Sequence, residues 1–224
     1  MAPSILLLGA TGVSGLIFID MALSLPDPPA LTLYVRSRNK LPQDIDKKAR
    51  VIVGALTDRD KLLQAMEGVD TVVSVLGTYP SLWHFIFRTT PTPIGDAFFV
   101  ILSAMRAKGV KRILALSTPS FYSEGEVYSL GWTLYGLGPK ILTPQGNAEM
   151  VAIGKAVATA DDLDWTVFRV PHLTEESADL PVAVGLINSE YKSTIHLSRA
   201  SMCKWIFREM EERKWIKKAP MLAN

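Results

Sequence analysis

The chain has 224 residues, enough for one domain with a substantial core. A formal net charge of +2 is too small for a nucleic-acid surface, and no Lys/Arg run is interleaved with aromatics. One cysteine, Cys203, excludes an intramolecular disulfide and reads as a packing residue. No apolar run is long enough to span a bilayer, and the first one is short and lacks a basic leader region. The expectation is a cytoplasmic protein with no membrane span. At 48% hydrophobic residues and a mean hydropathy of +0.20, its apolar excess should line a pocket or a homodimer interface.

Residues 5–8 read as the first strand and 12–24 as the first helix, ended by Pro26, Pro28 and Pro29. Residues 31–35 form a second strand that runs into Arg36, Ser37, Arg38, Asn39 and Lys40. A third strand, 50–53, is closed by Gly54. Asp58 caps a helix through Met66, and Gly68 ends it. Residues 69–75 are the fourth strand, closed by Gly77. An irregular segment, 79–93, carries Trp83, His84, Phe85 and Phe87. Helix 94–108 ends at Gly109, and strand 110–117 follows. A second irregular stretch, 119–139, holds Tyr122, Tyr128, Trp132 and Tyr135. Helix 143–158 and strand 165–169 come next. Beyond Pro171 the pattern supports a short strand near 194–197 and a helix over 198–213.

The strands are rich in Val, Ile and Leu with little alternation, as in parallel strands buried on both faces. Strand and helix alternate from end to end. This predicts an α/β fold, a Rossmann-like doubly wound parallel sheet in a single domain. Residues 170–224 would form a small substrate-side C-terminal part.

The stretch Gly9-Ala10-Thr11-Gly12-Val13-Ser14-Gly15 joins the first strand to the first helix. Gly9 supplies the backbone angles of a tight turn. Gly12 lets a pyrophosphate approach, and Gly15 lets helix and strand pack closely. The helix N-terminus adds free N–H groups and a partial positive charge, which suit an anion. An acid closing the second strand would bind a ribose 2′-OH and favour NAD. Arg36, with Arg38 and Lys40 behind it, matches a 2′-phosphate instead, so NADP(H) is the expected cofactor.

These residues resemble atypical short-chain dehydrogenase/reductases of the NmrA-like, NAD(P)H-binding group, which includes biliverdin reductase B-like flavin reductases. The glycine turn is similar to their GATGxxG element. Val35-Arg36 through Lys40 is similar to their NADP loop. Val53-Gly54-Ala55-Leu56-Thr57-Asp58 resembles their VxGDLxD segment, with Ala55 for the usual Asp. Asp164-Trp165-Thr166-Val167-Phe168-Arg169-Val170-Pro171 resembles their LDxTxxRP element, and Pro171-His172-Leu173 their Pro-His element. The resemblance implies that Gly9, Thr11, Gly12, Val13 and Ser14 surround the pyrophosphate. It places Arg36, Arg38 and Lys40 at the 2′-phosphate, and Ala55 and Leu56 beside the adenine. Leu76 and Gly77 would touch the adenosine ribose. Ser117, Thr118 and Pro119 would lie by the nicotinamide ribose, and Pro171, His172 and Leu173 over the nicotinamide.

Many relatives carry a Tyr-x-x-x-Lys pair on the helix before the LDxT strand. Here the corresponding positions are Ile141 and Gln145. Gln145 can hydrogen-bond a ribose hydroxyl without charge, and Ile141 donates nothing. A proton would then come from Tyr122, His172 or water, with Ser117 a third candidate catalytic side chain. Tyr128 is a weaker one. His84 has little claim, His196 reads as structural, and Glu124 and Glu126 as solvated loop acids. Trp83, Phe85, Tyr128 and Trp132 leave strand C-terminal ends and are candidate substrate walls. The alternating charges of 208–218 suggest a solvated helix face.

The residues contain no metal-ligand spacing and no Gly-x-Ser-x-Gly elbow. The leading expectation is an NADP-dependent reductase of a small aromatic or conjugated apolar substrate, such as a quinone, flavin, enone or polycyclic metabolite. A redox-sensing NADP binder without turnover is one alternative. A non-redox isomerase, dehydratase or cyclase on the same scaffold is the other.

Overall fold

The computed structural model describes residues 3–78, 89–123, 125–188 and 190–224. Its centre is an eight-stranded sheet in the order β3-β2-β1-β4-β5-β6-β10-β8. The strands are β1 (Ser4–Leu8), β2 (Ala30–Val35), β3 (Arg50–Val53), β4 (Thr71–Ser74), β5 (Arg112–Ser117), β6 (Asp164–Arg169), β8 (Ala183–Gly185) and β10 (Met221–Ala223). The first six strands are parallel and reverse direction of progression at β1, the doubly wound order expected from the alternation. Only β8 runs antiparallel, against β10. A separate parallel pair is formed by β7 (His172–Thr174) and β9 (His196–Ser198).

The helices are α1 (Val13–Leu23), α2 (Arg59–Ala65), α3 (Pro93–Lys108), α4 (Leu130–Leu142), α5 (Pro144–Ala158) and α6 (Arg199–Glu212). Ile5, Leu6, Leu7 and Leu8 of β1 are completely buried. Such a strand needs helices on both faces, because it has no polar side to present to water. Asp58 caps α2 by accepting from Lys61 N, as its position suggests. The N-terminus of α3 has a less local partner. Glu149 of α5, itself buried, accepts hydrogen bonds from Ile94 N at 3.1 Å and Gly95 N at 2.8 Å. A carboxylate from one helix thus satisfies free N–H groups at the start of its neighbour. Gly95 permits the contact, since a Cβ there would lie 2.4 Å from Ala152 Cβ.

Two expectations change. Residues 130–142 form α4, which begins inside the stretch read as irregular and runs past its end. Its glycines and Pro139 hide the helical pattern, while Ser129 caps it by accepting from Trp132 N. The C-terminal part also joins the main sheet, where β10 pairs with β6. The charged run 208–218 is not wholly solvated. Glu209 is buried and accepts from Arg112 Nη2 at 3.0 Å, Trp215 N at 2.9 Å and Lys214 N at 3.2 Å. Burial pulls the Arg112 guanidinium down to about 10, against the opposing pull of Glu209.

Candidate dinucleotide and substrate cleft

The carboxyl ends of the parallel strands share one edge of the sheet. They bring together the glycine turn, the Arg36 loop, Gly54, Gly77 and the end of β5. The three glycines of the turn differ in kind. Gly9 has φ +89°, which an L side chain adopts only with strain. A Cβ on Gly15 would fall 2.3 Å from Gly9 O and 2.7 Å from Ala10 Cα, so close packing demands glycine there. A Cβ on Gly12 would meet only Gly9 O, at 3.4 Å. The protein's own packing does not require Gly12, whereas a ligand against the backbone would. Val13 is exposed, Thr11 is half-buried, and Ser14 is buried at the first turn of α1. These residues fit a pyrophosphate at a helix N-terminus.

Arg36 and Lys40 are exposed and make no hydrogen bond or ion pair among the described residues. Arg38 is different: its Nη2 pairs with Asp46, beside a 3-10 turn at Ile45–Lys47. Behind this loop Tyr34 donates to Ala55 O at 2.7 Å, and its hydroxyl lies where a Gly54 Cβ would stand, 2.3 Å away. Burial, helped by nearby Asp58, pushes the Tyr34 phenol up to about 12. Ala55 is exposed, and Leu56 is half-buried against the core. Leu76 packs there too.

A cavity of about 370 Å³ continues the cleft. Gly77, Thr118, Pro119, Pro171, His172 and Leu173 line it, all positions that the sequence assigns to the cofactor. Tyr135 and Pro139 of α4, with Gly146, Asn147 and Met150 of α5, line it too. Gln145 does not line this cavity; its neighbours Gly146 and Asn147 do. Burial raises the pKa of the Tyr135 phenol, against a smaller opposing pull from the His172 backbone. In the sequence Tyr135 is one of several aromatics that could wall the crevice, and nothing singles it out. Its place depends on α4, which the sequence did not disclose.

The remaining candidates are distributed unevenly. Ser117 is fully buried and its hydroxyl donates to Met150 O at 2.8 Å, so the side chain is not open to a ligand. Tyr122 is 61% exposed, stacks on Tyr128 with ring centroids 4.5 Å apart, and does not line the cavity. Tyr128 donates to Pro119 O at 2.8 Å and accepts from Arg169 Nη1 at 3.1 Å, which supports the wall from outside the cavity. Burial raises its pKa. Trp132 does not line the cavity either; it meets Tyr135 edge-on at 5.7 Å. Trp83, His84, Phe85, Phe87 and Glu124 lie outside the described residues. His196 is exposed rather than structural. Glu126, expected in solvent, has a fully buried side chain paired with Arg169. Cys203 is buried as expected, and its thiol is pushed up to about 12 by burial.

Fold, glycine turn and cleft define a Rossmann-type dinucleotide-binding protein. The NAD(P)H-binding family profile matches residues 9–213, and the chain belongs to that family. Its fold is similar to that of a short-chain dehydrogenase/reductase from Veillonella parvula DSM 2008 in complex with NADP. The TM-score is 0.75 at 20% identity, over 100% of this chain and 95% of that one. It is also similar to ChuY, an anaerobillin reductase from Escherichia coli O157:H7. There the TM-score is 0.75 at 15% identity, over 98% and 96% of the two chains. A putative NAD-dependent epimerase/dehydratase from Bacillus halodurans matches at a TM-score of 0.68 and 19% identity, over 100% and 94%. Among the described residues no helix is long and apolar enough to cross a membrane.

Proposed function

We propose that the protein is an NADPH-dependent reductase of a small, flat, conjugated apolar substrate. The cavity carries this reading. It adjoins the positions assigned to the nicotinamide, is large enough for a small ring system, and is walled by Pro119, Tyr135, Pro139, Met150 and Leu173. Arg36, exposed just after β2 and unpaired among the described residues, supports the preference for a 2′-phosphate. When bound, the nicotinamide supplies a hydride.

The chain's own residues orient the partners and exclude water. Pro171, Leu173 and Tyr135 are among the residues that wall the cavity. The Tyr135 phenol, whose pKa burial raises, offers a hydrogen bond to a ligand oxygen in the cavity. His172 lines the same cavity and is the second candidate proton donor. A site without the usual Tyr–Lys pair suits an acceptor that is easily reduced, such as a quinone, flavin or enone.

Titration with NADPH and NADH, followed by tryptophan fluorescence, tests the cofactor part. Tighter binding of NADPH is expected; equal affinities would overturn the 2′-phosphate assignment. NADPH oxidation against quinones, flavins and enones tests the reaction. Binding without turnover across that panel would favour the second reading, an NADP-binding regulator, which the Ile141 and Gln145 substitutions support. Conversion of a substrate without NADPH would favour non-redox chemistry.

A further inference from the structure

His172 and His196 are register partners on the parallel strands β7 and β9. Registered residues of neighbouring strands project to the same face of a sheet. The two imidazoles accordingly lie side by side, with ring centroids 5.6 Å apart and planes at 85°. Both residues are exposed, and neither ring makes a hydrogen bond or ion pair among the described residues.

The backbone beneath them is well tied. His172 N donates to Ile195 O at 3.1 Å, and Asn224 N donates to His196 O at 2.9 Å. His196 N donates to Thr194 Oγ1 at 3.0 Å. Arg199 Nη1 donates to Leu173 O, next along β7, at 3.0 Å. The strands therefore hold the two Cα positions in register before any ligand arrives, which lowers the entropic cost of binding one.

We propose that His172 and His196 form a two-imidazole site for a borderline divalent cation such as Cu²⁺, Ni²⁺ or Zn²⁺. Imidazole suits these ions. With metal–nitrogen bonds of about 2.0–2.1 Å, two imidazoles on one ion place their centroids roughly 4.5–6 Å apart, which brackets the observed spacing. Water fills the remaining positions, so the site is exchangeable rather than structural. His172 also lines the cavity, which puts the ion at its rim. The site shares His172 with the cofactor assignment, but metal binding by the two histidines is read without the dinucleotide.

The test uses untagged, metal-stripped full-length protein and calorimetric titration with Cu²⁺, Ni²⁺ and Zn²⁺. One ion per chain is expected, with affinity in the order Cu²⁺ over Ni²⁺ and Zn²⁺. His172→Gln and His196→Gln should each weaken binding by roughly tenfold or more, with unchanged circular dichroism. His84→Gln, at the third histidine, should leave it unchanged. Electron paramagnetic resonance of the Cu²⁺ form should show coupling to two imidazole nitrogens. Absence of binding, equal affinity in His196→Gln, loss in His84→Gln, or coupling to fewer than two imidazoles would overturn the proposal.

Discussion

Glu126 and Arg169 form an ion pair in which both side chains are fully buried. Arg169 Nη1 donates to Glu126 Oε2 at 2.6 Å and to Phe121 O at 3.0 Å, while Nη2 pairs with Glu126 Oε1. Glu126 also accepts from Ser123 N at 3.0 Å and Ile187 N at 2.6 Å. One carboxylate thus joins the end of β6, the loop after β5 and the segment after β8. Removing one partner strands the other charge without water. Glu126→Gln should therefore lower unfolding free energy by about 3–5 kcal/mol, read from urea denaturation. Arg169 Nε is buried without a partner among the described residues, so the pair is incompletely satisfied. The double variant Glu126→Gln/Arg169→Met should recover part of the loss. A Glu126→Gln protein as stable as the parent would show that the pair is not a clamp.

The Arg36 loop yields a prediction with an internal control. Arg38 already has Asp46 as a partner, whereas Arg36 has none among the described residues. Arg36→Ala should weaken NADPH by roughly ten- to a hundredfold, the scale of about 1.5–3 kcal/mol for hydrogen bonds to a charged group. NADH affinity should hardly move. Arg38→Ala should cost less, because part of that charge is already neutralised. Fluorescence titration with both cofactors checks the order. A larger effect at Arg38 would reverse the assignment.

Most of the fold was legible because its signals are local. The β1–turn–α1 unit announces itself through an apolar run followed by spaced glycines, and Asp58 marks its own helix. Glu126 shows what was not legible. A glutamate in a polar loop resembles solvent-facing residues, and its partner is 43 positions away in sequence. Tyr135 and Trp132 were hidden for another reason. Gly131, Gly136, Gly138 and Pro139 all disfavour a helix, yet α4 forms. The short strands β7, β8 and β10 have three residues each, too few for a period to register.

Cys203 offers a simple chemical check. Its thiol is buried and donates to Ser14 O at 3.7 Å, close under the glycine turn. Burial raises its pKa to about 12, so almost no thiolate exists at neutral pH. Because the folded value lies above the ordinary thiol value of 9.0, this group's stabilising contribution is complete below pH 9. It is lost as pH rises toward 12. Native protein should resist iodoacetamide at pH 8, while urea-unfolded protein is labelled. Mass spectrometry reads both, and rapid native labelling would contradict the buried placement.

The glycines of the turn separate what the fold needs from what a ligand needs. A methyl group on Gly15 collides with Gly9 O and Ala10 Cα, both backbone atoms that cannot step aside. Gly15→Ala should cost about 1–3 kcal/mol of stability by overpacking, offset in part by the better helix propensity of alanine. A methyl on Gly12 meets only Gly9 O, at an ordinary contact distance. Gly12 is the N-cap of α1, where alanine costs about 1 kcal/mol or less relative to glycine. Gly12→Ala should therefore stay folded, with a thermal midpoint close to the parent, and yet lose most of its dinucleotide affinity. Paired measurements of melting and NADPH binding distinguish the two variants. If Gly12→Ala keeps full affinity, the pyrophosphate does not lie against this turn, and the cofactor must be placed elsewhere along the strand ends.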